Sequence, residues 1–216
     1  MLRIASLLVL SCLPGVAQAL VQELNALRAN PAAYADTKLE ARRAYYRGKL
    51  LQLPGQTPYR TEEGVQALDE AIKALKSSGP LTLVKDSPVL QNTAAAHVKD
   101  IGPKGSTSHQ SSDGLSSTER IHRAIPQAKR AAEVMAFGPD DAASVLIELL
   151  IDDGDKNRGH RRILLDPGFR AAGGTCGPHT TYKTVCVMDL ADVPAAEDAG
   201  FTLMPKDPNR RRFQRE

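Results

Sequence analysis

Asp152-Asp153-Gly154-Asp155-Lys156-Asn157-Arg158-Gly159-His160-Arg161-Arg162 closes an apolar segment of helical character and crowds acids, glycines, a histidine and arginines into one short run. A hydrophobic core does not accommodate such a run, because charged groups taken from water must be paired and hydrogen-bonded. Two other stretches share its character: Ser108-His109-Gln110-Ser111-Ser112-Asp113-Gly114 upstream, and Ala132-Glu133-Val134-Met135-Ala136-Phe137-Gly138 between the two. Together they predict a polar site assembled from three separate loops or helix ends.

Helices are predicted around these stretches. Residues 140–151 lead into the run as an amphipathic helix, with Asp140 and Asp141 suited to its positive N-terminal end and Val145 and Leu149 on its inner face. Leu20, Leu24 and Leu27 recur at helical spacing, Asn30-Pro31 interrupts, and residues 32–45 can resume as helix. Thr61-Glu62-Glu63 introduces a further helix with Val65, Leu68, Ile72 and Leu75 on one face, ended by Ser77-Ser78-Gly79-Pro80. Another starts near Ser87-Pro88 and places Leu90, Ala94, His97 and Ile101 on one stripe, so His97 reads as a structural, core-facing histidine. Residues 102–114 must be loop and carry His109, while 116–124 form a short helix with His122 on its surface. The chain finishes in strands. Residues 170–176 and 183–191 flank Gly177-Pro178-His179-Thr180-Thr181 as a hairpin, whose tip places His179 either over the site or in solvent. No internal repeat is present.

The ends and the charge bound the compartment and the partners. Met1-Leu2-Arg3, an apolar stretch over 4–13 and Ala17-Gln18-Ala19 read as a secretory signal peptide, residues 1–19. Its apolar part falls well short of the ~20 residues that span a bilayer. A rival reading makes Val9-Leu10-Ser11-Cys12 a lipoprotein site with Cys12 acylated, against which bulky Leu10 counts. The formal charge is +3, and at the end of the tail over 194–216, after Glu197 and Asp198, Lys206, Arg210, Arg211, Arg212 and Arg215 outnumber Asp207 and Glu216. The body is close to neutral, which argues against a nucleic-acid-binding face; the tail is expected to lack a fold of its own and to be able to touch an anionic surface. With Cys12 removed, Cys176 and Cys186 remain, ten positions apart in the predicted hairpin. They are expected to form a disulfide, with two buried thiols as the alternative.

The order of these motifs resembles the CAP superfamily of cysteine-rich secretory proteins, antigen 5 and pathogenesis-related proteins, in its microbial SCP-like extracellular branch. The resemblance rests on Ala94-Ala95-Ala96-His97-Val98-Lys99-Asp100, then the stretch around His109, the stretch around Glu133, the run ending in Gly159-His160-Arg161-Arg162-Ile163-Leu164, then Ala171-Ala172-Gly173-Gly174 and a terminal strand. It implies an α+β fold, a three-layer α-β-α sandwich around a central antiparallel sheet. A helical extension over 20–80 would pack on a core over 81–193. It also implies a cleft of two histidines and two acids, with His109 and Glu133 as the first pair and His160 as the second histidine. The second acid is Asp152, with Asp153 and Glu148 as competitors. The chain departs from the family's Glu-Asn pair, since Val134 follows Glu133.

The chemistry of these residue types is coherent without the family. Neutral imidazoles ligate zinc or copper, and a carboxylate can fix the tautomer of a ligating histidine. His109 and His160 are therefore the candidate ligands of a divalent cation, zinc in preference to calcium, with a purely structural hydrogen-bonded strut as the alternative. Asp153, Asp155 and Asn157 imitate the start of a calcium loop, but Arg158 and Leu164 stand where its glycine and bidentate glutamate belong. Ser108, His109 and Asp113 have the residue types of a serine hydrolase triad, but there is no G-x-S-x-G elbow. The expectation is thus a secreted, extracellular or periplasmic CAP-domain protein, non-enzymatic, binding a small molecule, lipid, cell-wall component or protein. The alternative is a metal-dependent hydrolase with Glu133 as base.

Overall fold

The computed structural model describes residues 14–193. Most of the signal segment, Cys12 and the basic tail lie outside the described residues. The strands are β1 (Tyr46–Arg47), β2 (Leu50–Leu51), β3 (Tyr59–Arg60), β4 (Lys85–Asp86), β5 (Ala131–Phe137), β6 (Ala171–His179) and β7 (Lys183–Ala191). The helices are α1 (Pro14–Ala29), α2 (Pro31–Tyr34), α3 (Val65–Ser77), α4 (Pro88–Ile101), α5 (Ser117–Ala124), α6 (Ala142–Ile151) and α7 (Gly159–Leu164). The fold is α+β. β1, β2 and β3 form a small antiparallel sheet, and the main sheet has the order β4-β6-β7-β5.

Side-chain alternation on the main sheet decides what lies on each side of it. Even-numbered Val134, Ala136, Ala172, Cys186, Met188 and Leu190 share a core with Leu20, Leu24 and Leu27 of α1, Leu68 and Leu75 of α3, and Leu146 and Leu150 of α6. Odd-numbered Met135, Val185 and Val187 pack on Ala94, Val98 and Ile101 of α4. Ala171 and Ala191 join Val89 and Leu90 of α4 with Ile121 and Ala124 of α5. At Gly173 an added Cβ would lie 2.3 Å from the Gln91 nitrogen and 2.5 Å from the Ser87 carbonyl oxygen, so only glycine lets the start of α4 lie this close to β6.

Several expectations need correction. Residues 132–137 are neither loop nor helix end: they belong to β5, paired antiparallel with β7, and only Gly138 lies beyond the strand. Helices cover both faces of this strand, so its apolar side chains run on without the alternation that announces a half-buried strand. The main sheet is mixed, because β4 pairs parallel with β6, Lys85 opposite Ala171. The hairpin is tighter than predicted. β6 continues through Pro178 to His179, opposite Lys183. Pro178 is tolerated there because β4 reaches only Ala172, leaving that edge of the strand without a ladder partner. The helix expected over 32–45 is instead α2, a wide π turn (Ala35–Leu39) and a 3-10 segment (Glu40–Tyr45), which keep Ala35, Leu39 and Arg42 inward. Cys176 and Cys186 stand opposite each other across β6 and β7 and form a disulfide. Among the described residues no helix is long and apolar enough to cross a membrane.

Candidate functional site

β5 holds Glu133 on the α4 face, opposite Asp189 of β7. The Glu133 carboxylate is buried and fully committed: Oε1 accepts the His109 Nδ1–H at 2.7 Å, and Oε2 accepts from Arg120 Nη2. Burial alone would raise its pKa, but the His109 hydrogen bond and the Arg120 guanidinium hold it below the ordinary glutamate range. Arg120 also donates to the His109 carbonyl at 2.8 Å and to Ser111 Oγ at 2.9 Å, so it fastens the His109 loop to the sheet. It comes from α5, which a capping box of Ser116 and Glu119 anchors.

His97 is structural, as its helical stripe predicts, and it forms part of the floor of this site. Its Nε2–H donates to the Ser108 carbonyl at 3.0 Å, one residue before His109, and Nε2 lies 3.8 Å from Glu133 Oε1. Because the carbonyl can only accept, Nδ1 carries the lone pair of the neutral ring and has no hydrogen-bond partner. Burial lowers the His97 pKa. Asp189 has no exposed surface; Oδ2 accepts the Thr93 hydroxyl at 2.5 Å and Oδ1 has no partner. Burial and the negative charge of Glu133 push its pKa well above the aspartate range.

The second pair is built where α6 ends. Asp152 takes a left-handed conformation, φ 53°, which turns its carboxylate back over the following residues. Oδ1 accepts the His160 Nδ1–H at 2.7 Å and Oδ2 the His160 backbone N–H at 2.9 Å. The competing acids are otherwise engaged: Asp153 accepts the backbone N–H groups of Glu62 and Glu63, and Glu148 pairs with Arg42 at 2.6 Å and accepts the Tyr59 hydroxyl. The rest of the run is locked to α3. Arg158 pairs with Glu63 and Glu70, and Arg158 with the Gly154 N–H holds the Glu63 pKa down to about 2.

The two pairs do not share a contact. A cleft of about 400 Å³ is lined by Asp152, His160, Glu148, Tyr59, Phe137 and Tyr182 among others. Thr107 and Met135, two positions from His109 and Glu133, line it too, whereas His109 and Glu133 themselves do not. In both pairs the acid is buried and the imidazole reaches water: side-chain exposure is 48% for His109 against 0% for Glu133, and 31% for His160 against 5% for Asp152. Nδ1–H thus faces a carboxylate in each ring, and Nε2 keeps its lone pair for a ligand. Each pair thus offers one free imidazole nitrogen, the donor type that zinc and copper take. Among the described residues no group of three or more histidine, cysteine or acidic side chains is close enough to hold a metal ion.

Other sequence candidates resolve into local structure. Asp155 accepts the Asn157 and Gly159 N–H groups, shaping the turn before α7. Ser108 Oγ accepts the Gln110 N–H and Asp113 the Leu115 N–H, so neither turns toward a histidine as a triad requires. His179 is buried rather than solvated: Nε2–H donates to the Ser106 carbonyl at 3.0 Å, and the ring packs against Phe137 and Tyr182. Sequence reasoning missed Arg120, Thr93 and Asp189. Only Arg120 has a local signal, the Ser116-x-x-Glu119 capping box of its helix.

Similar architecture occurs in an extracellular protein containing an SCP domain from Bacillus anthracis (22% identity, TM-score 0.43), which shares 52% of this chain and 35% of its own. An outer surface protein from Borrelia burgdorferi has 16% identity and TM-score 0.45 over 53% of this chain and 80% of its own. A cysteine-rich secretory protein from Staphylococcus aureus has 13% identity and TM-score 0.39 over 66% and 46%. No curated protein matches. The family profile described as CAP, cysteine-rich secretory protein family, matches residues 21–190, from the first helix to the last strand, and the chain belongs to that family.

Proposed function

We propose that the protein is exported and acts without catalysis, binding a ligand at the cleft beside His160 and Asp152, with His109 and Glu133 at its margin. The ligand classes in view are a lipid, a cell-wall component or a protein partner. A divalent cation, zinc in preference to calcium, would be held through Nε2 of His109 and His160 and would supply a positive, exchangeable contact for that ligand. The observation that carries this reading is the pairing of each exposed imidazole with a buried carboxylate through Nδ1. Burial of Glu133 and its engagement by His109 and Arg120 count against its serving as a free base toward water, and hence against a hydrolase. The signal segment supports export, and the basic tail suits an anionic envelope surface.

Zinc titration by calorimetry, on the exported protein and on a folded His109→Ala/His160→Ala variant, tests the cation. Saturable binding lost in the variant is the expected result. A parent protein that takes up no zinc would remove the cation from the reading, and turnover of peptide or ester panels that stops in Glu133→Gln would overturn the non-enzymatic assignment.

A further inference from the structure

The run that carries His160 has a second side. Arg161, Arg162 and Ile163 follow it on α7 and line a different cavity, of about 1090 Å³, bounded also by the loop before β5 and the turn after α7. Its wall gathers Lys129, Arg130, Arg158, Arg161 and Arg162 against a single acid, Asp166. Glu63, just before α3, and Glu70 within it neutralise Arg158, and Asp166 pairs with Arg130. Arg161 is buried, and its guanidinium donates to the backbone carbonyls of Leu150, Ile151 and Ala67, while Asp152, Glu70 and Glu63 act on its charge only through space. Lys129 and Arg162 are exposed and have no ion pair among the described residues. Beside these cations the half-buried Ile163 and Leu165 supply an apolar strip, while Phe169 is buried in the core with the Arg130 guanidinium over its ring, 5.3 Å from the centroid.

A concave wall with uncompensated cations and an adjacent apolar strip is complementary to an anion with an apolar body. We propose that this cavity binds an anionic amphiphile, whose phosphate or carboxylate meets Lys129 and Arg162 and whose apolar part lies on Ile163 and Leu165. The site is separate from the His160 cleft, so it stands or falls independently of the cation reading.

The chain contains no tryptophan, so naphthyl fluorescence can be followed directly. Full-length protein is titrated with naphthyl phosphate, inorganic phosphate and naphthol, and a short-chain phosphatidate distinguishes a lipid body from an aryl one. The expected result is saturable binding of one or both organic phosphates, weakened by added salt and about thirtyfold weaker in Lys129→Gln/Arg162→Gln, at about 1 kcal/mol for each cation. Lys129 and Arg162 bond through their backbone N–H groups, to Asp192 and to the Arg158 carbonyl, which the substitutions keep, and circular dichroism verifies the fold of the variant. Binding unchanged in that variant, binding lost instead in His109→Ala/His160→Ala, or inorganic phosphate bound as tightly as its organic esters would each overturn the proposal.

Discussion

Asp189 has no exposed surface, takes one hydrogen bond from Thr93 and stands opposite Glu133 across a strand pair. Its raised pKa means that the folded chain keeps a proton the unfolded chain releases. Stability therefore falls as pH rises from the ordinary aspartate value to the folded one, and is level beyond it. Asparagine mimics the protonated carboxyl and removes this dependence. Asp189→Asn is expected to gain on the parent as pH rises, by up to about 1.4 kcal/mol per pH unit while only the folded carboxyl is protonated. Urea midpoints of both proteins at pH 5 and pH 8 check it; a difference independent of pH would contradict the assignment. His109, Glu133 and His160 were legible as candidates from their motifs, and they stand in two hydrogen-bonded pairs; Asp189 was not, because a lone acid in an apolar strand has no spacing to announce its neighbour.

At the level of elements, α3, α4, α5 and α6 lie close to their predicted positions, because each has a recognisable start or stop; α3, α4 and α5 bury one stripe, whereas α6 buries Val145 to Ile147 and Leu149 to Ile151, most of its circumference. β5 was missed because both of its faces are covered. The β6–β7 hairpin does more than close the sheet: His179 at its end ties the turn to Ser106, three residues before His109. At Gly102 an added Cβ would lie 2.3 Å from the Pro178 carbonyl oxygen, so glycine is what lets the end of α4 approach this hairpin. The disulfide closes only a short loop, and Cys176→Ser/Cys186→Ser is expected to cost about 2–3 kcal/mol. Denaturant titration measures the loss. His109 resonances, more than those of His160, are expected to shift, since the hairpin touches the loop that carries His109.

Across the whole molecule, one core joins α1, α3 and α6 to the even-numbered face of the main sheet. Leu24 is fully buried in it. Leu24→Ala is expected to cost about 2–5 kcal/mol and to move the entire unfolding transition together. An early, separate transition seen by calorimetry would show instead that the N-terminal helices unfold as their own unit.

By itself the sequence determined most helices, the pair of cysteines that bridge, and the histidines and acids that form the two candidate pairs. Amphipathic period, capping residues and motif order are local properties and survive in one dimension. Only the tertiary structure decided that Asp152, and neither Asp153 nor Glu148, meets His160; that His97, Arg120 and Asp189 surround Glu133; and that Arg161 and Arg162 turn from the His160 cleft to a second cavity. The physical reason is the same each time. A left-handed residue at a helix end, a strand register and the curvature of a short helix set the direction of each side chain, and these depend on what the chain packs against far along its length.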